Sequence, residues 1–168
     1  MKYKSFEELP VWQDAIELAV RIFALTARPC FRRHSGTRNQ LENATVSISN
    51  NIAEGFERGT TQETLTFLYI ARGSAGEVRS MLHLIERAPG FEGLRSEIPD
   101  LKSRSLSVSK QLRAWADSLQ NSDIRGQRYL NDKSRRITKE SQEREEFLEE
   151  LRRVREGHRP GKPSDEDG

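Results

Sequence analysis

The residues best suited to chemistry are four basic side chains that recur at helical spacing between positions 72 and 87. At 100° per residue they fall within an arc of about 80° on one edge of a helix, roughly 110° from the centre of its apolar stripe. An aligned row of positive charge is suited to neutralising the phosphates of a nucleic acid. A solvated helix flank is the alternative, because cations near a helix C-terminus also favour the helix dipole. The four residues are Arg72, Arg79, His83 and Arg87.

Two further groups of basic residues are candidates for the same surface. One surrounds the predicted turn after the first helix, and the other lies on the predicted fourth helix. The chain as a whole has 28 basic and 26 acidic residues, so a basic surface has to come from local clustering. The first group is Arg28, Arg32, Arg33 and Arg38, and the second is Lys102, Arg104, Lys110 and Arg113.

No set of residues predicts catalysis. The histidines His34, His83 and His158 are far apart in the sequence, and Cys30 stands alone. Neither a phosphate-binding GxxxxGK[ST] loop nor a GxSxG nucleophile motif occurs. We therefore expect a protein that is not an enzyme and that has no cofactor and no metal.

The same composition predicts a cytoplasmic protein. A single cysteine suits a reducing compartment, and the first residues, MKYKSFEELPVW, lack the apolar run of a signal peptide. No run approaches the roughly 20 apolar residues of a membrane span, so we expect no membrane contact.

Four amphipathic helices are predicted to position these residues. Apolar residues recur at steps of three and four, and no segment alternates with period two. Thr37 with Gln40 and Thr60 with Glu63 have capping-box spacing at the starts of the second and third helices. The pattern predicts an all-α fold, an antiparallel up-down-up-down four-helix bundle over residues 1–123, followed by a charged, partly helical or disordered tail over 124–168. The predicted helices are 10–28, 37–55, 60–88 and 99–121, and a short helix with Phe147, Leu148, Leu151 and Val154 on one side is possible in the tail.

Apolar residues outside the predicted core stripe of the third helix indicate self-association. Gly73 lies on this helix and would let another backbone approach closely. The predicted interface residues are Phe67, Ile70, Gly73, Met81 and Leu84. On the first helix the predicted inward stripe is Trp12, Ala15, Ile16, Ala19, Ile22, Phe23 and Thr26.

A polar group near the end of the second helix is predicted to be structural. Ser47, Asn51 and Glu54 form a stripe beside the core, and such groups persist there when they are hydrogen-bonded. Gly55 is suited to end the helix in the left-handed conformation, and Arg58 is a candidate partner for Glu54. The alternative is that this corner is itself a functional site.

The segment QLENATVSISNNIAEGFERGTTQETLTFLYIARGSAGE resembles the signature of a small bacterial four-helix-bundle family. That family includes proteins encoded in intervening sequences of large-subunit ribosomal RNA genes and the accessory variability determinant of diversity-generating retroelements. The opening FEELPVWQDAIELA is similar to the N-terminal pattern of the family, so the resemblance spans about residues 5–120. Where the family often has a basic pair after Gln40-Leu41, this chain has Glu42-Asn43.

The resemblance implies an antiparallel protomer assembled into a homo-oligomeric ring, usually a pentamer, without catalytic residues. For the retroelement branch it implies binding to RNA or DNA and to a reverse transcriptase, and for the ribosomal branch an association with RNA. An oligomeric protein-interaction scaffold without direct nucleic-acid binding is the other possibility, favoured by the balanced charge.

Overall fold

A computed structural model describes residues 3–121 and, in the rest of the chain, Arg144, residues 147–149 and Arg152. The chain divides into two compact units, Met1–Arg128 and Tyr129–Gly168. Within residues 3–121 there are four long α-helices and three short 3-10 helices, and no β-strand occurs in this range. The α-helices are α1 Pro10–Thr26, α2 Ser35–Glu57, α3 Thr61–Arg87 and α4 Ile98–Gln120, and the 3-10 helices are Phe6–Glu8, Pro29–Arg33 and Glu92–Leu94. The predicted all-α class with four long helices is confirmed.

All four helices contribute an apolar stripe to one core. Removing each such aliphatic side chain from water stabilises the fold by about 1.5–3 kcal/mol. The fully buried side chains include Leu18 and Ile22 from α1, Ile48 and Ile52 from α2, Leu68, Leu82 and Ile85 from α3, and Leu112 from α4.

Where two neighbouring helices touch, residues later in one helix contact residues earlier in the other. This order holds at three of the helix–helix boundaries. The pairs are Asp14 with Gln111 and Arg21 with Asp100 between α1 and α4, Ser47 with Ser74 and Gly55 with Phe67 between α2 and α3, and Tyr69 with Gln120 and Glu86 with Lys102 between α3 and α4.

Thr60 caps the start of α3 as predicted, but the Glu63 carboxylate bonds the Thr60 hydroxyl and not its backbone N–H. The capping box predicted at the start of α2 is wrong. Thr60 Oγ1 accepts a hydrogen bond from the Glu63 backbone N–H at 3.3 Å and donates to the Glu63 carboxylate at 2.7 Å. Helix α2 begins two residues before Thr37, at Ser35. His34 directly follows the 3-10 helix. Its carbonyl accepts the first hydrogen bond of α2, from the Arg38 N–H at 2.9 Å.

The predicted left-handed helix end at Gly55 is also wrong. Helix α2 continues through Gly55 to Glu57, and Gly90 is the one described glycine with a positive φ, at 88°. Gly55 is instead buried against α3, where an added Cβ would lie 2.8 Å from Phe67 Cβ. A glycine is needed here because the two helices approach closely, and not because the chain turns.

The predicted inward face of α1 is right in part, because four of its seven residues are buried: Ala15, Ala19, Ile22 and Thr26. Leu18 and Leu25 are buried in the core, while Phe23 is 44% exposed and Ile16 is only partly buried. Helix α1 has two apolar stripes with the same spacing. The bundle buries Val11, Leu18 and Leu25 of one stripe, and Ala19 and Thr26 of the other.

In the second unit, the described residues lie in helical conformation, and Phe147 and Leu148 are 59% and 46% exposed. Leu151 and Val154, which the predicted tail stripe includes, lie outside the described residues, as does His158. Across the described part of the chain, no helix combines the length and apolar character needed to cross a membrane.

Candidate nucleic-acid interface

Helix α3 carries the predicted row of basic residues, here called the α3 basic edge: Arg72, Arg79, His83 and Arg87. Arg72 and Arg79 are partly buried, and His83 and Arg87 are exposed. Among the described residues, no hydrogen bond or ion pair engages the guanidinium of Arg72 or Arg79. Two guanidinium groups on this edge are therefore not neutralised by any carboxylate in the described part of the chain.

The C-terminal part of the edge joins a small polar cluster between α3 and α4. Arg87 Nη1 donates to the carbonyl of His83 at 2.8 Å, so this side chain folds back on its own helix. Lys102 Nζ of α4 contacts the Glu86 carboxylate at 2.8 Å and lies 3.5 Å from His83 Nδ1. The hydrogen bond from Lys102 holds the pKa of Glu86 below its ordinary value, because the ammonium favours the charged carboxylate. Lys102 is 18% exposed and is bonded to Glu86. It therefore links α4 to α3 and is poorly placed to bind an external ligand.

Most of the other predicted basic candidates also have a carboxylate partner. Each of these guanidinium groups is paired within the bundle, and the pairing reduces its capacity to bind a phosphate. The pairs are Arg28 with Glu97 at 2.6 Å, Arg38 with Glu42 at 2.9 Å, Arg104 with Asp100 at 2.8 Å and Arg113 with Asp117 at 3.5 Å. Arg32, Arg33 and Lys110 are exposed and have no such partner among the described residues.

An aromatic cluster brings part of the basic residues to one end of the bundle. The rings of Phe31 and Phe91 lie 5.0 Å apart, and His34 packs on Phe91 at 4.7 Å. These contacts join the segment after α1 to the segment after α3, so that Arg32 and Arg95 lie on segments that meet at the same end. Arg95 was not predicted, because the sequence does not show that these two segments meet.

The polar group near the end of α2 forms a hydrogen-bonded connection to α3. Asn51 Nδ2 donates to the carbonyl and to the hydroxyl of Ser47, at 2.7 and 3.0 Å. Ser47 Oγ lies 2.9 Å from Ser74 Oγ of α3, and Ser74 also donates to the carbonyl of Ile70 at 3.1 Å. Ser74 was missed from the sequence because a serine within an apolar repeat resembles any small core residue.

The rest of this corner combines an ion pair with an aromatic contact. Arg58 pairs with Glu54, and its guanidinium lies 4.7 Å from the centroid of the Phe67 ring. A cation over an aromatic face is attracted by the quadrupole of the ring. Phe67 thus contacts Arg58 and Gly55 of the same chain.

The residues predicted for the oligomer interface fall into different environments. Ile70 and Leu84 are 46% and 57% exposed, and an added Cβ at Gly73 would have no atom within 4 Å. Met81 was predicted at the interface, but it is 8% exposed and packs in the core. The buried arc of α3 is wider than one heptad stripe because α3 packs against both α2 and α4. Sequence reasoning also missed Val20, which is 60% exposed on α1.

No three or more His, Cys, Asp or Glu side chains within the described ranges converge as a metal site would require. Among proteins of curated function, none matches the chain significantly. A crystal structure of a protein of unknown function from the S23 ribosomal protein family of Bacteroides thetaiotaomicron is similar, with a TM-score of 0.56 and 23% identity. The match covers 63% of this chain and 97% of that one, and at this identity it shows the fold alone.

A model of the family described as 23S rRNA-intervening sequence protein matches residues 7–114. This is more than half of the 168 residues, and the matched range contains the α3 basic edge and the polar corner. The predicted family resemblance is therefore confirmed, and the chain belongs to the 23S rRNA-intervening sequence protein family.

Proposed function

We propose that this protein is a non-enzymatic RNA-binding protein whose antiparallel four-helix protomers assemble into a homo-oligomeric ring, with five subunits favoured. The observation that carries the proposal is the state of Arg72 and Arg79, which share one edge of α3 and have no carboxylate partner among the described residues. The family's description supports an RNA related to 23S ribosomal RNA.

Phosphate contact accounts for the arrangement of charge on this edge. An arginine that is paired with a carboxylate gains little binding free energy from a second anion. An unpaired guanidinium gains the full binding free energy of a phosphate contact and releases counterions from the RNA. Arg87 extends the same row and donates to the His83 carbonyl. It acts on the Glu86 carboxylate through charge, but no ion pair joins it to a carboxylate within the described chain. RNA binding should therefore depend on salt and on these three arginines.

A filter-binding titration of a structured RNA against salt tests this function. The variant carries Arg72→Ala, Arg79→Ala and Arg87→Ala, and we expect the slope of log K against log salt to fall by about 2 to 3 in magnitude. The matched control removes the same charge from Arg21, Arg104 and Arg113, each of which pairs with a carboxylate. Equal losses in both triple variants would show that only net charge matters, and no binding by the parent at low salt would refute the function.

Ring assembly is supported by two separate exposed apolar surfaces, one with Ile70 and Leu84 on α3 and the other with Val20 and Phe23 on α1. Two different patches suit the head-to-tail contact that closes a ring. Sedimentation equilibrium of Leu84→Glu should show a smaller species than the parent. Leu106→Glu is the control, because Leu106 is 39% exposed and lies on α4, which contributes to neither surface. An unchanged mass for Leu84→Glu would count against this contact.

The RNA-binding role has two forms, the accessory subunit of a retroelement reverse transcriptase and a ribosomal RNA intervening-sequence protein. A protein-interaction scaffold without direct nucleic-acid binding is the alternative to this proposal, and the exposed Phe147 and Leu148 of the second unit favour it. A reverse transcriptase gene and a repeat pair beside the gene would support the first role, whereas a surrounding ribosomal RNA gene would support the intervening-sequence role. Pull-down with and without residues 126–168 tests the scaffold.

A further inference from the structure

An exposed aromatic residue begins the same face of α3 that carries the basic edge. Tyr69, Arg72, Gly76, Arg79, His83 and Arg87 follow one another at steps of three and four, which places them along one side of the helix. The row spans about 27 Å at 1.5 Å per residue. Tyr69 is 44% exposed, and sequence reasoning did not include it because tyrosine also suits a helix flank.

The ring of Tyr69 is anchored at its polar end. Gln120 Nε2 of α4 donates to the Tyr69 hydroxyl at 2.6 Å. This bond satisfies the hydroxyl and restricts the side chain while nearly half of it stays accessible to solvent. An aromatic ring held in this way loses little conformational entropy when a flat ligand stacks on it.

The helix surface next to Tyr69 and Arg72 is open. An added Cβ at Gly76 would have no atom within 4 Å, so neither core packing nor a turn requires glycine there. Glycine inside a helix costs about 1 kcal/mol relative to alanine. Because Gly76 has no side chain, a nucleic-acid strand has room to lie close to the helix between Arg72 and Arg79.

From these observations we infer that the α3 face binds an unpaired, single-stranded segment of nucleic acid, with a base stacked on Tyr69 and the phosphates contacted by Arg72, Arg79 and Arg87. The inference rests on the proposed RNA-binding function and names the form of nucleic acid that its site accepts. An aromatic platform followed by a basic track suits a single strand, because unstacked bases expose a face that a duplex keeps inside.

Fluorescence anisotropy separates the two forms of nucleic acid. The probes are a labelled single strand of about 12 nucleotides, within the site sizes usual for single-strand binders, the duplex of the same sequence, and the single strand with abasic sites. We expect the parent to bind the single strand more tightly than the duplex, and the abasic strand to bind more weakly than the intact one.

Variants of Tyr69 isolate the stacking contact. Tyr69→Leu keeps apolar bulk and should weaken single-strand binding about fivefold or more, without a comparable change for the duplex. Tyr69→Phe keeps the ring and loses the bond to Gln120, so its affinity should remain within about threefold of the parent. Gln120→Ala is the matched control for that lost hydrogen bond, and circular dichroism verifies that each variant is folded.

The outcomes separate this inference from the function on which it rests. If Tyr69→Leu binds the single strand like the parent while the triple variant of Arg72, Arg79 and Arg87 loses binding, RNA binding stands and the stacking inference is wrong. A preference for the duplex, or equal binding of the intact and abasic strands, also overturns it. If the parent binds none of the probes, both the function and the inference fail.

Discussion

The substitution Gly55→Ala tests whether the close approach of α2 and α3 requires a glycine. The added Cβ would lie 2.8 Å from Phe67 Cβ and 3.4 Å from the carbonyl oxygen of Thr64. The first of these atoms is attached directly to the backbone of α3, so a change of rotamer does not relieve the clash and the helices themselves have to move apart. Overpacking of this kind costs about 1–3 kcal/mol, and the better helix propensity of alanine returns about 1 kcal/mol.

We therefore expect Gly55→Ala to lower the free energy of unfolding by about 1 kcal/mol, with 2 kcal/mol as the upper end. Urea denaturation followed by circular dichroism at several protein concentrations measures this value and separates it from any change in assembly. The matched control is Gly76→Ala, which lies inside α3 with nothing within 4 Å of the new Cβ and should gain about 0.5–1 kcal/mol. If both variants are stabilised alike, the reasoning about the α2–α3 approach is refuted.

Four further substitutions test the polar contacts of the bundle. Asn51→Ala removes a partly buried donor to Ser47 and should cost about 1 kcal/mol, whereas Glu54→Ala breaks an exposed ion pair and should cost less than about 0.5 kcal/mol; equal thermal shifts would contradict this order. Ser105→Ala deletes the fully buried hydroxyl that donates to the Ala75 carbonyl at 2.7 Å, and a loss of about 1 kcal/mol in urea denaturation is expected. Glu86→Gln should destabilise the protein at neutral pH but not in acid in which Glu86 of the parent is protonated. The lowered pKa of Glu86 gives stability that is present above its unfolded pKa and is lost as the pH falls through the folded pKa. Melting curves of the Glu86→Gln variant and the parent that differ by the same amount at all pH values would exclude this linkage.

The helices were predictable from the sequence because their apolar spacing is regular, but the choice of face was not always predictable. On α3 and α4 one apolar stripe dominates at steps of three and four, and its residues, among them Leu68, Val78 and Leu112, are buried. On α1 two apolar stripes have the same spacing, so periodicity does not decide between Leu18 and Phe23. That choice depends on which stripe fits against α2 and α4, which is information about tertiary packing.

The candidate site was predictable only in part, for a similar reason. The helical spacing of Arg72 and Arg79 is visible in the sequence, whereas their lack of a carboxylate partner in the described chain depends on where distant acids lie. Lys102 illustrates this, since its partner Glu86 is 16 residues away on another helix. The meeting of Phe31 with Phe91 was equally inaccessible, because it depends on how two connections lie at one end of the bundle.

The corner between α2 and α3 has a consequence for the order in which the protein folds. Gly55 and Phe67 are joined through a turn of three residues and a capping box, so their contact closes a short loop at low entropic cost. The contact between Asp14 and Gln111, in contrast, joins residues 97 positions apart. Local contacts form faster than distant ones, and we expect the α2–α3 hairpin to form in the transition state before α1 docks on α4. The asparagine, serines and glycine near the end of α2 would then determine how fast the chain folds, besides how stable the finished bundle is.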